Sequence, residues 1–172
     1  MKKFTAEATY SIPATQVRSI QTDEAFADFL VERFAGEVGA EVRSRSVTQQ
    51  GDREVLTAVV YAGPEKLPNM ARRFLSKGVE VTIEQLWDAP AADGSHTGEF
   101  RLTTVPDRGS MRAGFVLRDD ANGGSRRSYD GELSVNVPLV GGAIENQALK
   151  YTDRVMGIEA RVLEMYLEQQ EG

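Results

Sequence analysis

Apolar and polar residues alternate one by one along seven segments of the chain. In the first segment, residues 4–10, every even position holds Phe, Ala or Tyr and every odd position holds Thr or Glu. The same alternation returns at residues 40–42, 56–60, 79–87, 100–102, 111–117 and 129–137. One apolar and one polar face per strand are typical of an antiparallel sheet that meets water on one side.

The stretches between these segments favour tight turns. They read QQGDRE from residue 49, PAADGSHTG from residue 90, VPDRGS from residue 105 and DDANGGS from residue 119. Gly, Asp, Asn and Pro supply the backbone conformations that hairpin loops require. Strands joined by hairpins need no crossover helices, so the sequence predicts an antiparallel meander and disfavours a Rossmann-type parallel sheet.

Helical spacing interrupts the alternation in three places. Pro13 is suited to the first turn of a short helix that carries Val17 and Ile20, and a second helix begins near Asp23. The third place is residues 63–78, which we call the insert. One or two helical turns in the insert would present its apolar residues, Leu67, Met70, Phe74 and Leu75.

The longest helical pattern lies near the C-terminus. From Ile144 to Met165 apolar residues recur in steps of four and three. If helical throughout, about 30 residues would span roughly 45 Å. A seven-residue spacing also fits a coiled coil, but the apolar stripe is wider than a two-position seam and directly follows a strand. We therefore predict that this helix packs along the sheet, with Pro138 ending the last strand and Gly141-Gly142 turning the chain through unusual dihedral angles.

The order of these elements resembles the helix-grip superfamily, which includes START-like lipid-transfer proteins, pollen-allergen-like proteins and polyketide cyclases. TYSIPATQVRSIQTDEAF, from Thr9 to Phe26, looks like the entry motif of that superfamily, although Arg18 stands where an aromatic residue is usual. VEVTIEQLWD, SYDGELSVNVPLVGGAIENQAL and the insert resemble, more narrowly, an actinobacterial branch whose function is unknown.

The resemblance implies an α+β helix-grip fold that forms a single domain over residues 1–172. In this fold a curved antiparallel sheet wraps around a long C-terminal helix, and two short helices follow the first strand. A fold of this kind does not fix a function.

The charge balance disfavours a nucleic-acid-binding protein. Lys and Arg total 20 against 26 Asp and Glu, a formal net charge of −6, whereas phosphate neutralisation needs clustered cations. We interpret the basic doublets Arg72-Arg73 and Arg126-Arg127 as solvated surface charge. The chain has no cysteine, no run of residues typical of a signal peptide and no stretch suited to membrane insertion, so we expect it in the cytoplasm.

No residue pattern in the chain favours catalysis. His96, the single histidine, is flanked by Gly, Ser and Thr, which predicts an exposed imidazole at a hairpin tip. Glu54 is expected at the rim of the sheet, and Glu84 on its polar face. Gly141-Gly142 lack the lysine and hydroxyl of a phosphate-binding loop, and a zinc site would need carboxylates almost alone. We assign no catalytic residue, no metal and no cofactor.

The apolar residues instead predict a cavity between the sheet and the C-terminal helix, with the insert as its lid. Its expected lining is Met70, Phe74, Trp87, Phe100, Phe115, Tyr129, Tyr151, Val155 and Ile158. An apolar pocket with a few polar groups suits a small hydrophobic molecule, lipid-like or polyketide-like, bound without chemistry. Two alternatives stay open: a cyclase- or hydratase-like enzyme that uses the same cavity, and a partner-binding regulatory module whose core is filled.

Overall fold

The computed structural model describes residues 1–171. Seven antiparallel strands form one open sheet in the order β1-β7-β6-β5-β4-β3-β2. The strands are β1 (Lys2–Tyr10), β2 (Glu41–Gln50), β3 (Arg53–Ala62), β4 (Val79–Trp87), β5 (His96–Val105), β6 (Gly109–Asp119) and β7 (Ser125–Val135). Each strand from β2 to β7 pairs with its neighbour in sequence, which confirms the predicted meander.

Within residues 1–171, five helices and one 3₁₀ turn accompany the sheet. They are α1 (Ala14–Gln21), α2 (Glu24–Val38), the 3₁₀ turn (Pro64–Lys66), α3 (Asn69–Arg72), α4 (Gly141–Leu149) and α5 (Thr152–Glu171). The carboxylate of Asp23 caps α2 by accepting a hydrogen bond from the backbone N of Ala25 at 2.8 Å. Gly39, with φ of 71°, ends the same helix in the left-handed conformation that glycine adopts without strain.

The inner face of the sheet is covered by α2 and α5. Helix α5 packs on β1 and on α2, and α2 packs on β2. In β1 the even positions 4, 6, 8 and 10 are buried and the odd positions 3, 5, 7 and 9 are exposed, as the alternation predicted. The sheet and these helices enclose the main hydrophobic cluster, which includes Val17, Phe26 and Leu163.

A second, smaller cluster lies under the insert. Ala71, Leu75 and Val79 form its buried centre. Leu67 of the insert and Ile144 of α4 pack against it, together with Ala62 and Val81 at the ends of β3 and β4. The insert therefore covers one end of the sheet, next to α4.

The C-terminal helical pattern forms two helices rather than one. The chain makes tighter turns between α4 and α5, where the backbone N of Tyr151 donates to the carbonyl of Ala148 at 3.0 Å. The hydroxyl of Thr152 donates to the carbonyl of Leu149 at 3.0 Å and satisfies a carbonyl at the end of α4. Helix α5 alone has 20 residues, about 30 Å of helix.

The turn between β7 and α4 also differs from the sequence-based expectation. The left-handed residue is Leu139, with φ of 68°, and not a glycine of the pair. Gly141 is needed for a different reason: a Cβ on it would lie 2.4 Å from the carbonyl oxygen of Val135. The close approach of the chain to the end of β7 thus explains the glycine.

Candidate functional site: a cavity with a buried charged end

A cavity of about 70 Å³ lies between the inner face of the sheet and helices α2 and α5. Strands β3, β4, β5 and β7 contribute one side of it. Its walls are mostly apolar, and its lining consists of Leu30, Val31, Phe34, Leu56, Ala58, Val60, Ile83, Gln85, Phe100, Tyr129, Val155, Met156 and Glu159. Phe34, Ile83 and Val155 are partly exposed, so the cavity opens toward solvent on their side.

The strand register explains why a space remains here. Along β3 the inward residues run from Leu56 in the main cluster, through Ala58 at the cavity, to Ala62 beside the second cluster. Ala58 pairs with Ile83 of β4, and its methyl group fills little of the inner face at this point. The cavity lies beside the main cluster, which supplies Leu56 and other parts of its lining.

A fully buried arginine stands at one end of this cavity. Arg127 on β7 has no exposed surface. Its Nη2 donates to Oε1 of Gln85 at 3.1 Å, and its Nη1 lies 3.8 Å from Oε2 of Glu159 on α5. The expectation that Arg127 is solvated surface charge is therefore wrong, whereas its neighbour Arg126 lies on the outer face and is exposed.

Three aromatic rings surround the guanidinium of Arg127. Its Cζ lies 3.8 Å from the ring centre of Phe115, 4.6 Å from that of Trp87 and 4.9 Å from that of Tyr129. Rings at these distances attract the cation through their negative faces. Nε and Nη1 of Arg127 have no hydrogen-bond acceptor among residues 1–171, so the rings, Glu159 and the hydrogen bond from Nη2 to Gln85 are what stabilise this charge.

Gly98 allows this arrangement of rings. It stands between Phe115 and Trp87 on the inner face of the sheet, because it pairs with both residues. A Cβ on Gly98 would lie 2.4 Å from Cζ of Phe115 and 2.1 Å from the carbonyl oxygen of Leu86. The Phe115 ring thus occupies the space above the glycine, 4.6 Å from the Trp87 ring in an edge-on arrangement.

Glu159 joins this cluster to the cavity. Its Oε2 accepts a hydrogen bond from the hydroxyl of Tyr10 on β1, while its Oε1 has no hydrogen-bond partner among the described residues. Burial raises the pKa of Glu159 above its usual range, although Arg127 opposes that shift. Burial also raises the pKa of Tyr10 and of Tyr129, so both phenols are neutral at ordinary pH.

Gln85 connects the arginine to the single tryptophan. Its Oε1 accepts from Nε1 of Trp87 at 2.9 Å as well as from Arg127. Gln85, Tyr129 and Glu159 all line the cavity, and we call them its polar end. The arrangement can therefore hold a mostly apolar molecule and offer polar groups at one end of it.

Comparison with known proteins places the chain in a family. Residues 5–167 match the model of a family described as Protein of unknown function (DUF2505). The chain belongs to this family. Among curated proteins, none matches the chain.

Solved structures show the same fold. Human STARD10 is 10% identical, with a TM-score of 0.60 over 98% of this chain and 66% of that one. A START superfamily protein from Mycobacterium smegmatis is 14% identical, with a TM-score of 0.55 over 98% of both chains. A STAR-related lipid transfer protein fragment from Xanthomonas axonopodis is 14% identical, with a TM-score of 0.50 over 94% of this chain and 86% of that one. These similarities confirm the predicted START-like helix-grip fold.

The structure distributes the nine predicted lining residues over three environments. Phe100, Tyr129 and Val155 line the cavity. Three others are buried in the main cluster beside it: Trp87, Phe115 and Ile158. The last three lie away from the cavity: Met70, Phe74 and Tyr151.

The orientation of α3 explains why the insert does not supply the expected residues. Ala71 and Leu75, four positions apart, face inward and join the second cluster. Met70 and Phe74 are displaced from that face, and Met70 is exposed. The guanidinium of Arg73 lies over the ring of Phe74 at 5.0 Å. Tyr151 is exposed because it lies in the break between α4 and α5.

The polar residues of the site were missed in the sequence, although its patterns contained a signal. Arg127 lies an even number of positions along β7 from Tyr129 and Leu133, both of which face inward, so it belongs to the same face of the strand. Glu159 lies four positions after Val155 and four before Leu163, on the apolar stripe of the helix. A charged residue at an inward-facing position of a strand or helix indicates either that the inward face has been predicted wrongly or that a polar site is buried there.

His96 also lies elsewhere than expected. It begins β5, pairs with Leu117 on the inner face and is buried, so its prediction as an exposed hairpin tip is wrong. Burial and the nearby charge of Arg18 lower the pKa of His96. Arg18 itself is buried, lies over Trp87 at 5.1 Å and forms an ion pair with Glu54 at 3.1 Å.

Neither a metal site nor a membrane-spanning helix is found in the described part of the chain. Within residues 1–171 no three His, Asp or Glu side chains converge in a way that could hold a metal ion. Nor does any helix there combine the length and apolar character needed to cross a membrane.

Proposed function

We propose that the protein binds a small hydrophobic molecule, lipid-like or polyketide-like, in the cavity between the sheet and α5. The observation that supports this most is an apolar-walled cavity between the sheet and helices α2 and α5, beside the main hydrophobic cluster. Dense packing is the rule in protein interiors, so an unfilled space next to a polar cluster suits a ligand. The Xanthomonas axonopodis protein that shares the fold is a STAR-related lipid transfer protein, which agrees with this class of ligand.

The size of the cavity limits how the ligand sits. An apolar cavity of about 150 Å³ accepts benzene, whereas this one has about 70 Å³. A ligand of more than a few heavy atoms therefore extends outward past the partly exposed Phe34 and Val155, or displaces them. We propose that movement of α2 or α5 at these residues accompanies binding.

Titration with the fluorescent hydrophobic dye 1-N-phenylnaphthylamine tests this proposal. The wild-type protein should bind the dye in a saturable manner, with a finite stoichiometry. Val155→Trp should abolish this binding because an indole at position 155 fills the cavity. Tyr151→Trp is the matched control, since it places the same ring at an exposed position near the start of the same helix. Equal dye binding by both variants would contradict the proposal.

The cavity also bears on the two alternative functions. A regulatory module with a filled core is disfavoured by the open space. An enzyme of cyclase or hydratase type is supported by the position of Glu159, a buried carboxyl that lines the cavity and whose pKa burial raises, as in many acid–base catalysts. If the protein were such an enzyme, a bound molecule would change mass on incubation with the wild type but not with Glu159→Gln. Location in the cytoplasm and an actinobacterial source stay predictions of the sequence.

A further inference from the structure

The two carboxylate oxygens of Glu159 differ in their surroundings. Oε2 accepts from the hydroxyl of Tyr10 and lies 3.8 Å from Nη1 of Arg127. Oε1 is buried, has no donor among residues 1–171, and belongs to a side chain that lines the cavity. A buried oxygen without a hydrogen bond is costly to folding, so its retention beside an open space indicates a partner that enters the space.

The charges around Glu159 restrict what that partner can be. Arg127 is charged at all ordinary pH values, and Glu159 is the acidic side chain within ion-pair distance of it in the described chain. With Glu159 ionised, the pair is neutral as a whole. The guanidinium of Arg127 would repel an ammonium group added beside the pair, and the carboxylate of Glu159 would repel an added carboxylate.

The other polar residues of the cavity do not change this conclusion. Oε1 of Gln85 already accepts from both Trp87 and Arg127. Tyr129 is a neutral phenol at ordinary pH because burial raises its pKa. Oε1 of Glu159 is therefore the strong acceptor at the polar end that has no donor.

We propose that the ligand is a neutral alcohol: an apolar body with a hydroxyl group at one end, which donates a hydrogen bond to Oε1 of Glu159. This inference rests on the proposed function and specifies its ligand class. The apolar body lies along Leu56, Ala58, Ile83 and Phe100, and the far end leaves the cavity near Phe34 and Val155. The hydroxyl donates to the carboxylate oxygen that, within residues 1–171, has no donor at the polar end of the cavity.

Three eight-carbon probes test the inference on the unchanged protein at pH 8. They are 1-octanol, its isomer heptyl methyl ether, and octanoate. The alcohol and the ether contain the same atoms, but only the alcohol can donate a hydrogen bond. Affinities come from displacement of 1-N-phenylnaphthylamine, and the fluorescence of Trp87 gives a second signal because its indole contacts Gln85 at the polar end.

We expect 1-octanol to bind at least about tenfold more tightly than the ether, since hydrogen bonds to charged groups have that magnitude. Octanoate should also bind more weakly than the alcohol. In Glu159→Gln an amide that points its NH₂ group into the cavity should remove the preference for the alcohol, because alcohol and ether oxygens both accept from it. Glu168→Gln, at an exposed position of α5, should keep the wild-type order of affinities. If Glu159→Gln does not fold, the comparison of alcohol and ether on the wild type decides the matter.

The outcomes separate this inference from the proposed function. Equal affinities for 1-octanol and heptyl methyl ether, both abolished by Val155→Trp, would overturn the alcohol inference and leave the hydrophobic cavity in place. Tighter binding of octanoate than of octanol would also overturn it. No binding of any probe or of the dye would contradict both.

Discussion

Arg127 and Glu159 face each other across the interior of the protein, with Nη1 and Oε2 3.8 Å apart, although one lies on β7 and the other on α5. The arginine is held by the sheet and its aromatic rings, whereas the glutamate reaches the cavity. This ion pair therefore links the rigid part of the fold to the place where a ligand is proposed to bind. The stability and the binding of the protein should both depend on it.

Removal of one member of the pair should be strongly destabilising. Arg127→Met leaves Glu159 buried without its cation, which we expect to lower the free energy of unfolding by about 3 kcal/mol or more. Arg127→Met combined with Glu159→Gln should cost less than the sum of the two single variants. Arg126→Met is the control, since this exposed neighbour should change stability by no more than about 0.5 kcal/mol. Denaturant unfolding of the four variants measures these differences, and additive costs would show that the two side chains do not interact.

The pH dependence of stability should show the burial of Glu159. Burial raises the pKa of this carboxyl, so the folded protein holds its proton more tightly than the unfolded chain does. Its contribution to stability is therefore fully present below the unfolded pKa of about 4.3 and is lost as the pH rises through the folded pKa.

This prediction is tested by comparing the wild type with Glu159→Gln from pH 4 to pH 9. The free energy of unfolding of the wild type should decline with pH relative to that of the variant. A relative increase over the same range would mean that the attraction of Arg127 exceeds the effect of burial, and that the pKa is lowered instead.

Gly98 should be intolerant of even one methyl group. Its Cβ would lie 2.1 Å from the carbonyl oxygen of Leu86 and 2.4 Å from the Phe115 ring, so Gly98→Ala must move both. We expect a loss of about 1–3 kcal/mol, as for other overpacked cores. Gly114→Ala is the matched control on the neighbouring strand β6, because a Cβ there would meet no atom within 4 Å. Thermal or denaturant unfolding of both variants checks the prediction, which fails if they are equally stable.

Deletion of the C-terminal helices should abolish cooperative folding. A chain that ends at Ala143 would expose the apolar inner face of β1 and α2, against which α5 packs. Calorimetry should then show no sharp unfolding transition. Removal of residues 168–172 alone should leave the transition in place, because Leu167 is the last helical residue that packs on the main cluster. A melting curve like that of the intact protein for the longer deletion would show that the helices are an appendage.

The strands could be predicted from the sequence because the sheet has one wet face. Alternation such as that from Phe4 to Tyr10 reports directly which side of a strand meets water. The break at Lys150 and Tyr151 could not be predicted in the same way. The apolar spacing of three and four continues across it, and the hydrogen bond of Thr152 that accompanies it is a local detail of side-chain geometry.

The cavity and its charged end were predicted less well, for two physical reasons. The volume of a cavity depends on side-chain shapes that meet only in three dimensions, such as Ala58 opposite Ile83. Charged residues are usually solvated, so the sequence predicts Arg127 at the surface even though, like Tyr129, it occupies an inward-facing position of β7. Glu159 is buried on an otherwise apolar stripe because it pairs with Arg127. Neither residue alone indicates in the sequence that the other is buried beside it.

Native mass spectrometry of the freshly purified protein tests the hydrophobic-ligand proposal most directly. We expect a population whose mass exceeds that of the chain by one small molecule, which an organic extraction releases as an apolar compound. Tyr151→Trp should carry the same added mass, and Val155→Trp should carry none. The account would be contradicted if the wild type showed only the mass of the bare chain and remained so after exposure to hydrophobic probes, or if Val155→Trp retained the added mass.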